Sequence, residues 1–363
     1  MNKTAAIKKI DSLLGPLIVH ATGKMFRPRA GSGKNAGAWL IVRPGGIGDA
    51  VLLVPAVLFL KKTFPLVAID ILAEKRNSGV FSLCPEVGSV FHYDVPAEFL
   101  EAMRRTYDVV IDTEQWHRLS AAVARVTRAP QLIGYGTNER KKLFTHAISY
   151  SQDDYEVESF YHLLTPLTGE VAAGEHDVPF LTIPADVTVK AKALLSHLPD
   201  SRIVAMFPGS SINERKWGSD RLHQTAKLLG EQGCSIVVVG GKDDVKAGHQ
   251  IVSGLSNSLN LCGKLTLPET AAILKVSSLL ITGDSGIMHI GYGLGIKVLA
   301  LFGPGREKKW GPRGKDCKVI NRHLPCSPCT TFGDTPKCMN NAACMGAITV
   351  EEVVREALAL LDA

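Results

Sequence analysis

The chain has 363 residues, 45% hydrophobic and 21% charged, with 41 basic against 35 acidic side chains. This apolar content excludes a small disulfide-held module and favours two globular domains, while a net charge of +6 suits anionic ligands or acidic lipid surfaces and is too weak and too evenly spread for nucleic acid. No run approaches the roughly 20 apolar residues of a membrane span, and Met1-Asn2-Lys3-Thr4 leads into Lys8, Lys9 and Asp11 instead of a secretory core, so a cytoplasmic protein is expected.

Residues 1–37 read as a basic N-terminal extension. Ile7, Ile10, Leu13, Leu14, Leu17 and Ile18 recur at helical spacing among Lys3, Lys8 and Lys9, which predicts an amphipathic helix. Its apolar face either packs on this chain or a partner, or meets the inner-membrane surface. A Gly-rich basic stretch, 23–37, follows.

From residue 38 the pattern becomes β-α alternation. Strands are expected at Trp39–Val42, Val67–Leu72 and Tyr107–Ile111, with a helix from Ala50 to Thr63. A second series follows Pro184, with a helix near Val187–His197 and strands at Ile203–Phe207, Ser235–Val239, Leu279–Thr282 and Val298–Phe302. Such alternation predicts an α/β protein of two Rossmann-like domains, 38–183 and 184–347, closed by a helix within 348–363. Ligands of open α/β sheets lie beyond the carboxyl ends of the strands, so two facing domains are expected to form one interdomain cleft.

Four clusters stand at such strand ends. In Arg43-Pro44-Gly45-Gly46-Ile47-Gly48-Asp49-Ala50, Gly46 and Gly48 allow close backbone approach and the helix start offers free N–H groups. Asp70 lies about twenty residues on, but Val51 takes the place of the third glycine of a dinucleotide fingerprint, which weakens a dehydrogenase reading. Asp49 either caps the helix or points into the cleft as an acid–base group. In the second cluster, Ser210 and Ser211 suit a diphosphate and Lys216 is a mobile cation for a leaving group. In the third, Asp243 and Asp244 suit ribose hydroxyls or simply start the next helix, and Leu265 lies in a segment suited to wall a base. The fourth, Thr282-Gly283-Asp284-Ser285-Gly286-Ile287-Met288-His289, joins an acid, a hydroxyl, a glycine and a histidine at a helix start, an arrangement suited to phosphate.

In order and spacing, Arg43–Leu53, Phe207–Ser211 with Lys216-Trp217, Asp284–His289 and Phe302-Gly303-Pro304 resemble glycosyltransferase family 9, the ADP-heptose:lipopolysaccharide heptosyltransferases, from about Trp39 to the C-terminus. The resemblance implies a GT-B fold and an inverting, metal-independent transfer from a nucleotide sugar, ADP-heptose, to a lipopolysaccharide or related glycolipid. It implies Asp49 as general base, Lys216 as donor contact, and Asp284, Ser285, Gly286 and His289 around the diphosphate. No catalytic cofactor is implied. Gly291-Tyr292-Gly293 departs from the small alanines usual there. The Arg- and Lys-rich segments Trp116–Arg128 and Gly134–Lys142 suit a phosphorylated acceptor or a solvated basic face. Other readings are a GT-B transferase with a different donor or acceptor, and a catalytically silent nucleotide-binding subunit, against which Asp49 and Lys216 both argue.

Cys326, Cys329, Cys338 and Cys344 cluster in a Cys-rich loop, 317–345, expected to lack regular structure. Their spacing is looser than that of a zinc ribbon and leaves a structural zinc or iron–sulfur site, free thiols and disulfides open.

Overall fold

The computed structural model describes residues 3–30, 37–169, 176–199 and 202–363, with side chains in the N-terminal helix from residue 9 onward. The chain divides into two compact units, Met1–His176 and Asp177–Ala363. This division falls upstream of the 183/184 junction expected, because Phe180 and Leu181 donate their backbone N–H groups to Gly293 of the second unit.

In the first unit the strands are β1 (Ala38–Val42), β2 (Ala68–Ala73), β3 (Val90–His92), β4 (Val109–Asp112), β5 (Gln131–Tyr135) and β6 (His146–Ile148). They pair in parallel in the order β3-β2-β1-β4-β5-β6. The second unit holds β7 (Ile203–Phe207), β8 (Ser235–Val238), β9 (Ser258–Asn260), β10 (Leu279–Gly283), β11 (Val298–Phe302) and β12 (Cys317–Asn321). Their order, β12-β11-β10-β7-β8-β9, is the same doubly wound order read from the other edge. Each unit is therefore a Rossmann-like fold in its own right, the pair that the GT-B architecture requires. Strands in the middle of each sheet are continuous apolar runs buried on both faces, as in Leu40–Val42 and Leu279–Ile281, which is why they stand out in the sequence.

Alternation fails to announce the edges. β3, β6 and β9 have three residues each, and β6 is mostly exposed; so short a run carries no periodicity. The Cys-rich loop is likewise more regular than expected. It opens with β12, which extends the sheet beside β11, and ends in a helical turn, Ala343–Gly346.

The N-terminal helix spans Lys3–Met25, and most of its expected apolar face is not packed on its own unit. Asp11, Val19 and Thr22 are buried, whereas Ile10, Leu13, Leu14 and Leu17 are exposed. The side chain of Ile7 lies outside the described residues. Asp11 Oδ1 accepts the backbone N–H groups of Arg118 and Leu119 at 2.7 and 2.8 Å, capping the helix Arg118–Val126 with a carboxylate at the positive end of its dipole. Gly15 lets the two helices approach, since a Cβ there would sit 2.7 Å from Arg118 Cδ. A buried acid thus fixes which face of the helix turns inward.

Candidate active site

In the first unit the topological switch lies between β1 and β4, whose carboxyl ends carry the motif residues. Gly45 makes the turn with φ +96, a conformation that favours glycine. The helix Ile47–Thr63 then starts, apolar nearly throughout and buried, with Asp49 in its first turn. The Asp49 side chain is 26% exposed, and its Oδ2 stands 4.0 Å from Arg43 Nη2. Arg43 itself is 1% exposed. It donates Nε–H to Pro44 O at 2.6 Å and Nη1–H to Thr113 O at 2.9 Å, and its Nη2 lies 3.6 Å from Glu114. Burial pushes Glu114 upward, but Arg43, with His117 and Arg140, outweighs it and holds the carboxyl below its usual range. The result is a rigid cation with one acid buried behind it and one, Asp49, partly exposed.

The basic segments expected to meet an acidic acceptor divide in two. Arg140 is fully buried, paired with Asp112 and donating to Glu114 O, and Arg118 is engaged by Asp11 and Glu139. These two arginines build the unit. Lys141, Lys142 and Arg128 remain exposed.

In the second unit the switch lies between β7 and β10, and here the turns after Phe207 and Gly283 converge. Asp284 is buried, and Arg215 Nη1 lies 2.9 Å from its Oδ2. This ion pair anchors Arg215 beside the turn. Ser285 caps the helix Gly286–Gly293, accepting Met288 N–H at 3.2 Å and sharing a 3.0 Å hydrogen bond with Thr282 Oγ1. The backbone at Gly286 lies at this helix start, suited to an anion. Lys216 is exposed and sits between two anchored neighbours: Arg215, and Trp217, whose indole donates to Ile348 O at 3.1 Å.

His289 does not lie on the surface of this turn. It is 3% exposed; burial and then the Arg215 charge push it down to about 3, so the ring is neutral at physiological pH. Asp244 bends back to accept Gly241 N–H at 2.9 Å and starts the helix Val245–Val252, while Asp243 stays exposed. Ser210 Oγ accepts Ile212 N–H at 3.2 Å, Ser211 is exposed, and Leu265 is half-buried. Gly46 and Gly48 belong to the first unit's turn, with Gly46 capping the helix Ile47–Thr63. The glycines at 291 and 293 have a packing cause. A Cβ would come within 2.7 Å of Leu280 Cδ2 at the first and of Phe180 Cε2 at the second.

The four loop cysteines are neighbours. Asn340 and Ala342 donate backbone N–H to Cys338 Sγ at 3.4 and 3.3 Å, and Asn340 Nδ2 donates to Cys326 Sγ at 3.7 Å. Among the described residues, however, no group of three or more ligating side chains is placed to hold a metal ion, and all eight cysteines are free. The cluster therefore stands as neighbouring free thiols in this structure. The loop does reach the site by another route: Thr330, fully buried, accepts from Arg215 Nη2 at 3.4 Å.

Arg43, Arg215 and Glu114 are the residues the sequence reading passes over. The signal for the arginines was present, since each stands in a strand-end motif; the burial of Arg43 and the pairing of Arg215 with Asp284 were not visible.

A family model described as glycosyltransferase family 9 (heptosyltransferase) matches residues 97–340. The chain is 24% identical over 302 residues to lipopolysaccharide heptosyltransferase 2 of Salmonella typhimurium, covering 77% of this chain and 87% of that protein. It is 25% identical over 288 residues to lipopolysaccharide heptosyltransferase 3 of Escherichia coli, covering 73% and 83%. The structure of E. coli ADP-heptose lipopolysaccharide heptosyltransferase II matches with a TM-score of 0.74 at 21% identity, over 89% of this chain and 98% of that one. A family match across more than half of the chain, on two doubly wound units with the motifs at their strand ends, makes this protein a GT-B enzyme belonging to glycosyltransferase family 9.

Proposed function

We propose that the enzyme transfers heptose, with inversion, from ADP-heptose to the core of a lipopolysaccharide or a related lipid-linked glycan. The observation that carries this reading is the partly exposed Asp49 carboxylate held beside the enclosed Arg43 at the first unit's switch. Asp49 takes the proton of the acceptor hydroxyl as its oxygen attacks the anomeric carbon. The bond from that carbon to the diphosphate oxygen breaks, and ADP leaves with the electron pair. Lys216, Arg215, Ser210 and the backbone around Ser285 and Gly286 stabilise the charge that develops on the diphosphate. Two fixed or mobile cations and a helix start are suited to do this without a divalent ion. We place the reaction at the cytoplasmic face of the inner membrane, where a lipid-linked acceptor is met by a protein with no described helix long and apolar enough to cross.

Asp49→Ala is expected to reduce turnover by about 100-fold to 10,000-fold, the usual share of a general base, while ADP binds within twofold of wild type. Transfer measured with ADP-heptose in the presence of a chelator, alongside calorimetric titration with ADP, UDP and GDP, checks both parts. Undiminished turnover in the variant removes Asp49 from the chemistry, and preference for UDP or GDP moves the donor class.

A further inference from the structure

The exposed face of the N-terminal helix is unexplained by the fold. Ile10, Leu13, Leu14 and Leu17 are 47%, 67%, 49% and 68% exposed, and Met25 is 74% exposed. At 100° per residue, Ile10, Leu13, Leu14, Leu17, Ala21 and Met25 form one continuous stripe, turned away from the buried Asp11, Gly15, Val19 and Thr22. Among the described residues nothing in its own unit covers this stripe, and the opposite face does the docking.

Two features decide what covers it. The first is charge. Lys9 and His20 line one flank of the stripe, Lys24 stands in helical angle between Leu13 and Leu17 near its C-terminal end, and Arg27 follows it, all exposed, while the helix's single acid, Asp11, is buried as a cap. Lys141 and Lys142, also exposed, lie on the segment Glu139–Leu143, where Leu143 touches Gly23. The surface around the stripe is thus cationic. The second is the pattern. Ile10, Leu13 and Leu17 fit the seam of a paired coil, but the next seam positions are His20 and Lys24, so the seam ends after a single heptad, too short for a second copy to zip along it. A wide apolar stripe edged by lysine and arginine is instead the form of a helix lying in the plane of an anionic lipid interface, apolar side chains in the acyl boundary and cations at the headgroups.

We infer that the Lys3–Met25 helix docks the enzyme on an anionic membrane surface through Ile10, Leu13, Leu14, Leu17 and Met25, with Lys9, Lys24 and Arg27 at the headgroups. The inference rests on the reading of a lipid-linked acceptor only for its purpose: it keeps the enzyme on the surface that carries the substrate. Asp11 then joins two functions, since the cap that fixes the helix also orients its lipid face outward.

The test is flotation of the full chain with phosphatidylcholine vesicles containing or lacking phosphatidylglycerol, at low and high salt, for wild type and for the double variant Leu13→Ser, Leu17→Ser. Both side chains are exposed, so an unchanged thermal melt is expected. Wild type is expected to float with the anionic vesicles and to be released by salt; the double variant partitions at least about tenfold less, since two leucines no longer enter the apolar layer. Equal flotation of both proteins overturns the inference. So does a wild-type dimer in light scattering that the variant turns into a monomer without any change in flotation, which assigns the stripe to a second copy. Transfer to a delipidated, water-soluble oligosaccharide acceptor is expected to be the same in both proteins. If neither transfers heptose while flotation still differs, the membrane contact stands and the proposed reaction fails.

Discussion

Arg215 and Asp284 form an ion pair whose side chains are 14% and 5% exposed. Removing Arg215 takes away the close counter-charge of the buried Asp284, so Arg215→Ala is expected to lower the stability of the second unit by about 3 kcal/mol. ADP binding should weaken with it. Adding Asp284→Asn should restore much of the stability and none of the binding, and denaturant unfolding together with calorimetry separates the two. His289 gives a second, pH-dependent prediction. Its folded value is pushed down to about 3 from 6.5, so below pH 6.5 the unfolded chain takes a proton that the folded chain refuses. Stability is present above 6.5 and falls as pH is lowered toward the folded value, at about 1.4 kcal/mol per pH unit. Unfolding at pH 7 and 5 should show this slope in wild type and a flatter one in His289→Gln. An identical slope in both proteins would assign the acid sensitivity to other groups. Both residues stand in motifs the sequence displays, but only burial turns one into an anchored cation and the other into a neutral core side chain.

Among the elements, the N-terminal helix depends on one side chain. Asp11→Ala removes the cap of the helix Arg118–Val126 and the partner of Arg118, which is expected to cost about 1–2 kcal/mol. The melt of the variant compared with Asp11→Asn, which keeps the acceptor oxygen and loses the charge, tells the cap from the ion pair. The helix was legible in the sequence as a helix, because its apolar residues recur at the right spacing. Its orientation was not, because a buried aspartate outweighs exposed leucines only when the unsatisfied N–H groups of another helix, about a hundred positions away in sequence, are placed beside it. The strands divide in the same way. β7 and β11 match the apolar runs Ile203–Phe207 and Val298–Phe302 residue for residue, whereas β6 and β9 have no pattern to read, and β12 continues a parallel sheet from within a segment whose prolines and cysteines suggest a loop.

The molecule as a whole repeats one plan, six parallel strands in the same order in both units. Each unit closes its own sheet and has its own buried core. Residues 177–363 expressed alone are therefore expected to unfold cooperatively and to bind ADP, with a gain of about 2.7 kcal/mol in stability at a ligand concentration 100 times its dissociation constant. The fragment must begin before Phe180, whose ring packs on Tyr292; absence of ADP binding in a folded fragment would mean that the first unit contributes to the donor contacts. By itself the sequence determined the β-α alternation, the α/β class and the placing of Asp49, Lys216 and Ser285 after strands, because apolar runs and strand-end glycines are local and periodic. Tertiary structure alone decided that Arg43 is enclosed, that Arg215 pairs with Asp284, that His289 is neutral, and that the N-terminal helix turns its leucines outward. Those outcomes depend on burial and on partners distant in sequence, and desolvation is a property of the folded surroundings that no local pattern encodes.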